Sequence, residues 1–102
     1  TVQVAQNDIE VAMDWYNAMD ACQSLGNGWR LPSKEELTAM CEQLHNKGKG
    51  YFLNRPYWSS SQRNSETAYI IDFEKCEQND VMLFKYYKED YGYQVRAVRT
   101  LP

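Results

Sequence analysis

The chain has 102 residues, of which 43% are hydrophobic and 25% charged, and its net charge is −3. These values predict one globular domain of ordinary composition. They exclude a bilayer-spanning apolar run, a basic nucleic-acid footprint and a polybasic membrane patch, so neither nucleic acid nor membrane insertion is expected. Thr1 stands where a start methionine would, which implies a processed chain or a domain cut from a larger protein or assembly.

Val2 and Val4 alternate with polar neighbours and predict a short first strand. Asn7 followed by Glu10 reads as a helix N-cap with its reciprocal glutamate. Ala12, Trp15, Met19, Cys22 and Leu25 then recur at helical spacing as one apolar stripe, which Gly26 and Gly28 end. Ser33 and Glu36 form a second capping box, with Pro32 and Leu37 placed as a hydrophobic staple. Leu37, Met40, Cys41 and Leu44 make the stripe of this second helix, which stops within 46–50.

Beyond it the apolar period becomes two. Strands are predicted over 57–61, 67–74, 81–87 and 93–100, with turns at 62–66, 75–80 and 88–92. In the second of these strands Tyr69, Ile71 and Phe73 share a face; in the fourth Tyr93, Val95 and Ala97 oppose Arg96. The short connections predict an antiparallel meander, and the whole predicts an α+β domain with two helices packed on an antiparallel sheet.

Cys22, Cys41 and Cys76 form neither a CxxC motif nor a Cys/His set at zinc spacing. Cys22 and Cys41 fall on apolar helix faces, where a free thiol packs as a small hydrophobe. Three free thiols are expected, with a Cys22–Cys41 bridge as the open alternative.

Four blocks carry a resemblance. Trp15-x-x-Ala18-x-x-x-Cys22-x-x-Leu25 comes first, then Gly28-Trp29-Arg30-Leu31-Pro32-Ser33-x-x-Glu36-Leu37, then Tyr57-Trp58-Ser59-Ser60-Ser61, then Val95-Arg96-Ala97-Val98-Arg99. In this order they resemble the bacterial Lcl C-terminal-like domain family, a domain of largely unknown function. The resemblance implies a compact C-type-lectin-like fold with its N- and C-terminal strands paired. It also implies a non-enzymatic ligand-binding role in a bacterial surface, secreted or phage protein. Many members carry Cys where Ala97 stands, paired with the cysteine of the first helix; Ala97 leaves Cys22 without that partner. The extracellular reading is weakened accordingly, and a cytoplasmic location stays open.

The residues themselves give little support to catalysis. His45 is the lone histidine, Ser59, Ser60 and Ser61 lie outside any nucleophile elbow, and Gly48-x-Gly50 lacks the rest of a phosphate loop. Gln78-Asn79-Asp80 reads as a polar turn, since no dense acidic loop supplies the oxygens calcium needs. No metal and no cofactor is expected. Trp29 and Trp58 are assigned to the scaffold, Trp29 as a buried plug between helices and sheet.

The candidate ligand site is the irregular loop 47–56, with Tyr51, Asn54 and Arg55, together with Gln62, Arg63 and Asn64 of loop 62–66 and Tyr91 at the rim. Tyrosines give contact area at low entropic cost, and irregular loops on a rigid scaffold are where function concentrates. The ligand expected is a glycan or a protein. The alternative is a structural or assembly domain with no ligand of its own.

Overall fold

The structure is a computed structural model and describes residues 1–83 and 92–102. Helix α1 (Trp15–Gln23) begins a full two turns after Asn7. Its cap is Asp14, whose carboxylate accepts the Asn17 N–H at 2.9 Å. The Asn7/Glu10 signal is overridden by tertiary hydrogen bonds. The N–H groups of Ala5, Ile9 and Met13 donate to the carbonyls of Ala97, Val95 and Tyr93 at 2.9, 2.9 and 3.2 Å, so segment 5–13 runs beside the end of the chain, with bends at Gln6–Asn7 and Glu10–Val11. The buried face of α1 is Trp15, Ala18 and Cys22; Leu25 lies past the helix end and is exposed.

Helix α2 (Lys34–Gln43) has the expected capping box. The Glu36 N–H donates to Ser33 Oγ at 3.1 Å, and the Ser33 N–H donates to Glu36 Oε1 at 2.8 Å. Leu37, Met40 and Cys41 are buried. A 3-10 turn (His45–Lys47) follows and stops at Gly48, whose φ of 72° suits glycine.

Strand β1 (Val2–Val4) pairs antiparallel with β5 (Val98–Thr100), with Val2 opposite Thr100, so the terminal strands are paired as expected. Strands β2 (Pro56–Trp58), β3 (Thr67–Asp72) and β4 (Glu77–Met82) form a second antiparallel sheet in that order. The predicted four-strand meander is corrected: the last segment does not extend it beside β4. It returns to β2, where Gln94 makes a parallel bridge to Tyr57, and then continues into β5. The hairpin turn is also displaced. It occupies 73–76, and Gln78, Asn79 and Asp80 are strand residues rather than a turn. The first four residues of β4 are all exposed, so no apolar alternation marked them as a strand. Residues 84–87 of the strand predicted there lie outside the described residues.

Strand β3 is central and buried on both faces. Ala68 and Ile70 join Trp15, Ala18, Cys22, Trp58, Val95 and Ala97 in one cluster. Ile71 and Phe73 join Leu37, Met40, Tyr57 and Val98 in the other. Trp15 donates its indole N–H to the Ser59 carbonyl at 2.8 Å and Trp58 to the Met13 carbonyl at 2.7 Å, which satisfies the polar end of each buried ring. Trp29 is only half-buried, with the Arg99 guanidinium 4.9 Å from its ring centroid, and is not the fully buried plug expected.

The cysteine expectation is also corrected. Cys41 and Cys76 are joined by a disulfide with a Cα–Cα distance of 5.7 Å, and Cys22 is the free, buried thiol. The bridge ties α2 to the β3–β4 turn. The displaced turn hid this pairing, because it brings Cys76 onto the helix face that carries Cys41.

Candidate functional site

Arg96 organises one end of the molecule. Its side chain has no solvent exposure. Nε donates to Asp8 Oδ1 at 2.8 Å, Nη1 to the carbonyls of Ala5 and Gly50 at 3.0 and 2.8 Å, and Nη2 to the Tyr51 carbonyl at 2.9 Å. The guanidinium also stacks on Phe52, 4.1 Å from the ring centroid. Asp8 accepts a second bond, from the Tyr57 hydroxyl at 2.6 Å, and that hydroxyl accepts the Leu53 N–H at 2.9 Å. Burial, and then the bond to Asp8, push the Tyr57 phenol well above its ordinary range, so it stays a donor.

This network shapes the loop before β2. Gly50 and Tyr51 both take left-handed backbone, with φ of 86° and 58°. Phe52 turns inward and is buried, whereas the Tyr51 side chain stands 89% exposed. Between Tyr51 and the bend at Gln6 and Asn7 lies an open groove of roughly 470 Å³, walled by Val4, Ala5 and Leu44 and floored by Arg96. An adjoining hollow shares Val4 and Leu44 and runs along α2 to Val2 and Met40.

The other expected site residues are dispersed. Asn54 is exposed and its Oδ1 meets His45 Nε2. Arg55 is exposed, and its carbonyl accepts the Phe73 N–H at 3.2 Å. Gln62, Arg63 and Asn64 lie at the opposite end of β3. Asn64 Oδ1 accepts the Glu66 N–H at 2.9 Å and the Thr67 hydroxyl at 3.3 Å. Gln62 donates to the Asn64 carbonyl at 3.3 Å, and Arg63 pairs with Asp80 at 3.2 Å. Asn64 bridges the start of β3, and Arg55 meets Phe73 just past its end. Six strand residues separate them by roughly 20 Å, so the two loops do not form one contact surface. Tyr91 lies outside the described residues.

Sequence reasoning misses Gln6, Asn7 and Leu44 as groove residues: Asn7 reads as a helix cap, Leu44 as part of a helix stripe, and no pattern marks Gln6. It also placed Arg96 only as the residue opposite an apolar face. A charged residue inside an otherwise apolar 95–98 run is the signal that could have found it.

The serines after β2 are held in structural bonds. Ser59 donates to the Tyr69 carbonyl at 2.7 Å, Ser60 to the Pro32 carbonyl at 3.2 Å, and Ser61 Oγ accepts the Lys34 N–H at 3.0 Å. Arg30 makes a two-pronged pair with Glu36, at 2.8 and 2.9 Å. That bonding holds the Glu36 carboxyl down at about 2. Burial raises the Cys22 thiol to about 11. Among the described residues no three His, Cys, Asp or Glu side chains converge as a metal site would require.

No curated protein matches the chain. The residues that build the core and the Arg96 network, from Val4 to Val98, fall inside the stretch 3–99 that matches the family model of the Lcl C-terminal domain, and the chain belongs to that family.

Proposed function

We propose that the domain is a non-enzymatic module of C-type-lectin-like type that binds a glycan or protein ligand through the loop carrying Tyr51, within a bacterial surface, secreted or phage protein. One observation carries this reading. Tyr51 combines left-handed backbone with a ring that is 89% exposed. A non-glycine residue there is disfavoured by about 1–2 kcal/mol, and an exposed ring returns little burial energy to folding. The residue is therefore poor for stability, and a contact role accounts for it. The paired terminal strands support the lectin-like reading. The Cys41–Cys76 bridge supports an oxidising compartment.

The test is Tyr51→Gly. Glycine relieves the backbone conflict, so the variant should melt at or above the parent temperature while losing most of its affinity for a ligand found on a glycan and protein array. Undiminished binding by a well-folded variant would remove the loop from the site.

A second reading, an assembly domain without its own ligand, draws on the hollow along α2. Val2 is 38% exposed there beside Met40 and Leu44. Concentration-dependent self-association abolished by Val2→Glu, with no array ligand, would favour it.

A further inference from the structure

We infer that the groove between Tyr51 and the Gln6/Asn7 bend takes a neutral saccharide, its ring stacked on Tyr51 and its hydroxyls bonded by the two side-chain amides. This rests on the ligand-binding reading above and names the ligand class.

Three features converge in the groove. Tyr51 offers an open aromatic face. Gln6 and Asn7 offer carboxamides that have no hydrogen-bond partner among the described residues. Each carboxamide is both donor and acceptor, the combination that matches a hydroxyl. Val4, Ala5 and Leu44 supply an apolar wall for the C–H face of a sugar ring. The volume, roughly 470 Å³, lies within the range of small-molecule sites.

Charge narrows the class. Among the described residues Arg96 is the one charged group lining the groove, and it is wholly buried. It gives its bonds to Asp8 and to the carbonyls of Ala5, Gly50 and Tyr51, so it holds no cationic face toward a ligand. Among the described residues no carboxylate lines the groove to receive a cation. Lys47 and Lys49 lie in the preceding turn and do not line it. The net charge of −3 further disfavours polyanions.

The same arginine holds both walls. Ala5 belongs to one side of the groove and Gly50 and Tyr51 to the other, and a single guanidinium bonds all three carbonyls. The walls are thereby fixed before any ligand arrives, which lowers the ordering cost of binding.

The experiment is a heteronuclear NMR titration of the protein with neutral gluco-, galacto- and manno-oligosaccharides and with sulfated and uronate-containing counterparts. The parent protein, Tyr51→Gly, Asn7→Ala and the control Gln23→Ala, an exposed α1 residue outside the groove lining, are compared. The inference expects a neutral oligosaccharide to shift the amides of Ala5, Gln6, Asn7, Gly50 and Tyr51. Binding should be insensitive to salt, weaken about tenfold or more in Tyr51→Gly, weaken severalfold in Asn7→Ala and hold in Gln23→Ala. Salt-sensitive binding of the sulfated or uronate sugars alone overturns the neutral class. Neutral-sugar binding that survives both groove variants overturns the site. Failure of every saccharide, alongside an array protein that binds and loses affinity in Tyr51→Gly, overturns the saccharide inference and leaves the ligand-binding reading standing. Array ligands that all bind Tyr51→Gly as well as the parent overturn both.

Discussion

Arg96 and Asp8 lie 88 residues apart in the chain and meet at 2.8 Å, with the arginine side chain wholly buried. Removing one partner of a buried ion pair leaves the other uncompensated, which typically costs about 3–5 kcal/mol. Asp8→Ala should therefore lower the unfolding free energy by about that amount, read from urea melts. Arg96→Lys should also lose stability, because an ammonium cannot reproduce the planar fork that reaches Asp8 and three separate carbonyls. A small loss in either variant would mean that water replaces the pair easily.

The Arg30–Glu36 pair sets an acid limit. Its carboxyl lies at about 2, depressed from 4.5 chiefly by the Arg30 bonds, despite an opposing contribution from burial. A depressed folded value means that the unfolded chain takes up the proton first as pH falls. The stabilisation is thus present above about 4.5 and lost as pH drops through about 2. Glu36→Gln should be less stable than the parent at neutral pH, and the gap between their urea midpoints should close across that window. A gap constant with pH would show that the effect does not come from the carboxylate's charge.

Much of this architecture is readable from residue order, and the failures share a cause. The second capping box, the stripe of α2 and the β3 face with Ile71 and Phe73 are local patterns, and the structure has them. Pairing of the terminal strands came from the family resemblance, and the structure has that too. What local reading missed is long-range. Asn7 looks like a cap until Ile9 finds the Val95 carbonyl. Gln78, Asn79 and Asp80 look like a turn until β3 supplies a ladder. Loops 47–56 and 62–66 are near in sequence, yet β3 holds them at opposite ends. Arg96 lies in the motif that carries the resemblance, but its partners come from residues 5–8 and 50–51, which no local pattern links.

The three cysteines should behave as two kinds. Closing a loop of 35 residues stabilises by about 3–4 kcal/mol in the chain-entropy account. The Cys41→Ala/Cys76→Ala pair should lose stability on that order, and reducing agent should destabilise the parent but not the double variant. Cys22, raised to about 11 by burial, should not react with a thiol reagent at mildly alkaline pH until the chain unfolds. Rapid labelling of Cys41 or Cys76 in the native protein without reductant would contradict the pairing, and rapid labelling of Cys22 would contradict its burial.

The final prediction separates backbone strain from packing in the Tyr51 loop. Gly48 and Gly50 both have left-handed backbone, with φ of 72° and 86°. A Cβ at Gly48 meets nothing within 4 Å, whereas one at Gly50 would lie 2.5 Å from Phe52 Cε2. Gly48→Ala should therefore carry only the left-handed penalty, about 1–2 kcal/mol. Gly50→Ala carries the same penalty and must also displace the Phe52 ring. That ring lies against the Arg96 guanidinium and 5.0 Å from Phe73, so it cannot shift without disturbing the network that holds both groove walls. Gly50→Ala should then be the less stable of the two in urea melts. It should also spread NMR shift changes from Phe52 to Asp8 and Ala5, while those of Gly48→Ala stay within the turn. Equal stabilities with equally local shifts would show that the Phe52 ring has room to move and that the groove does not depend on it.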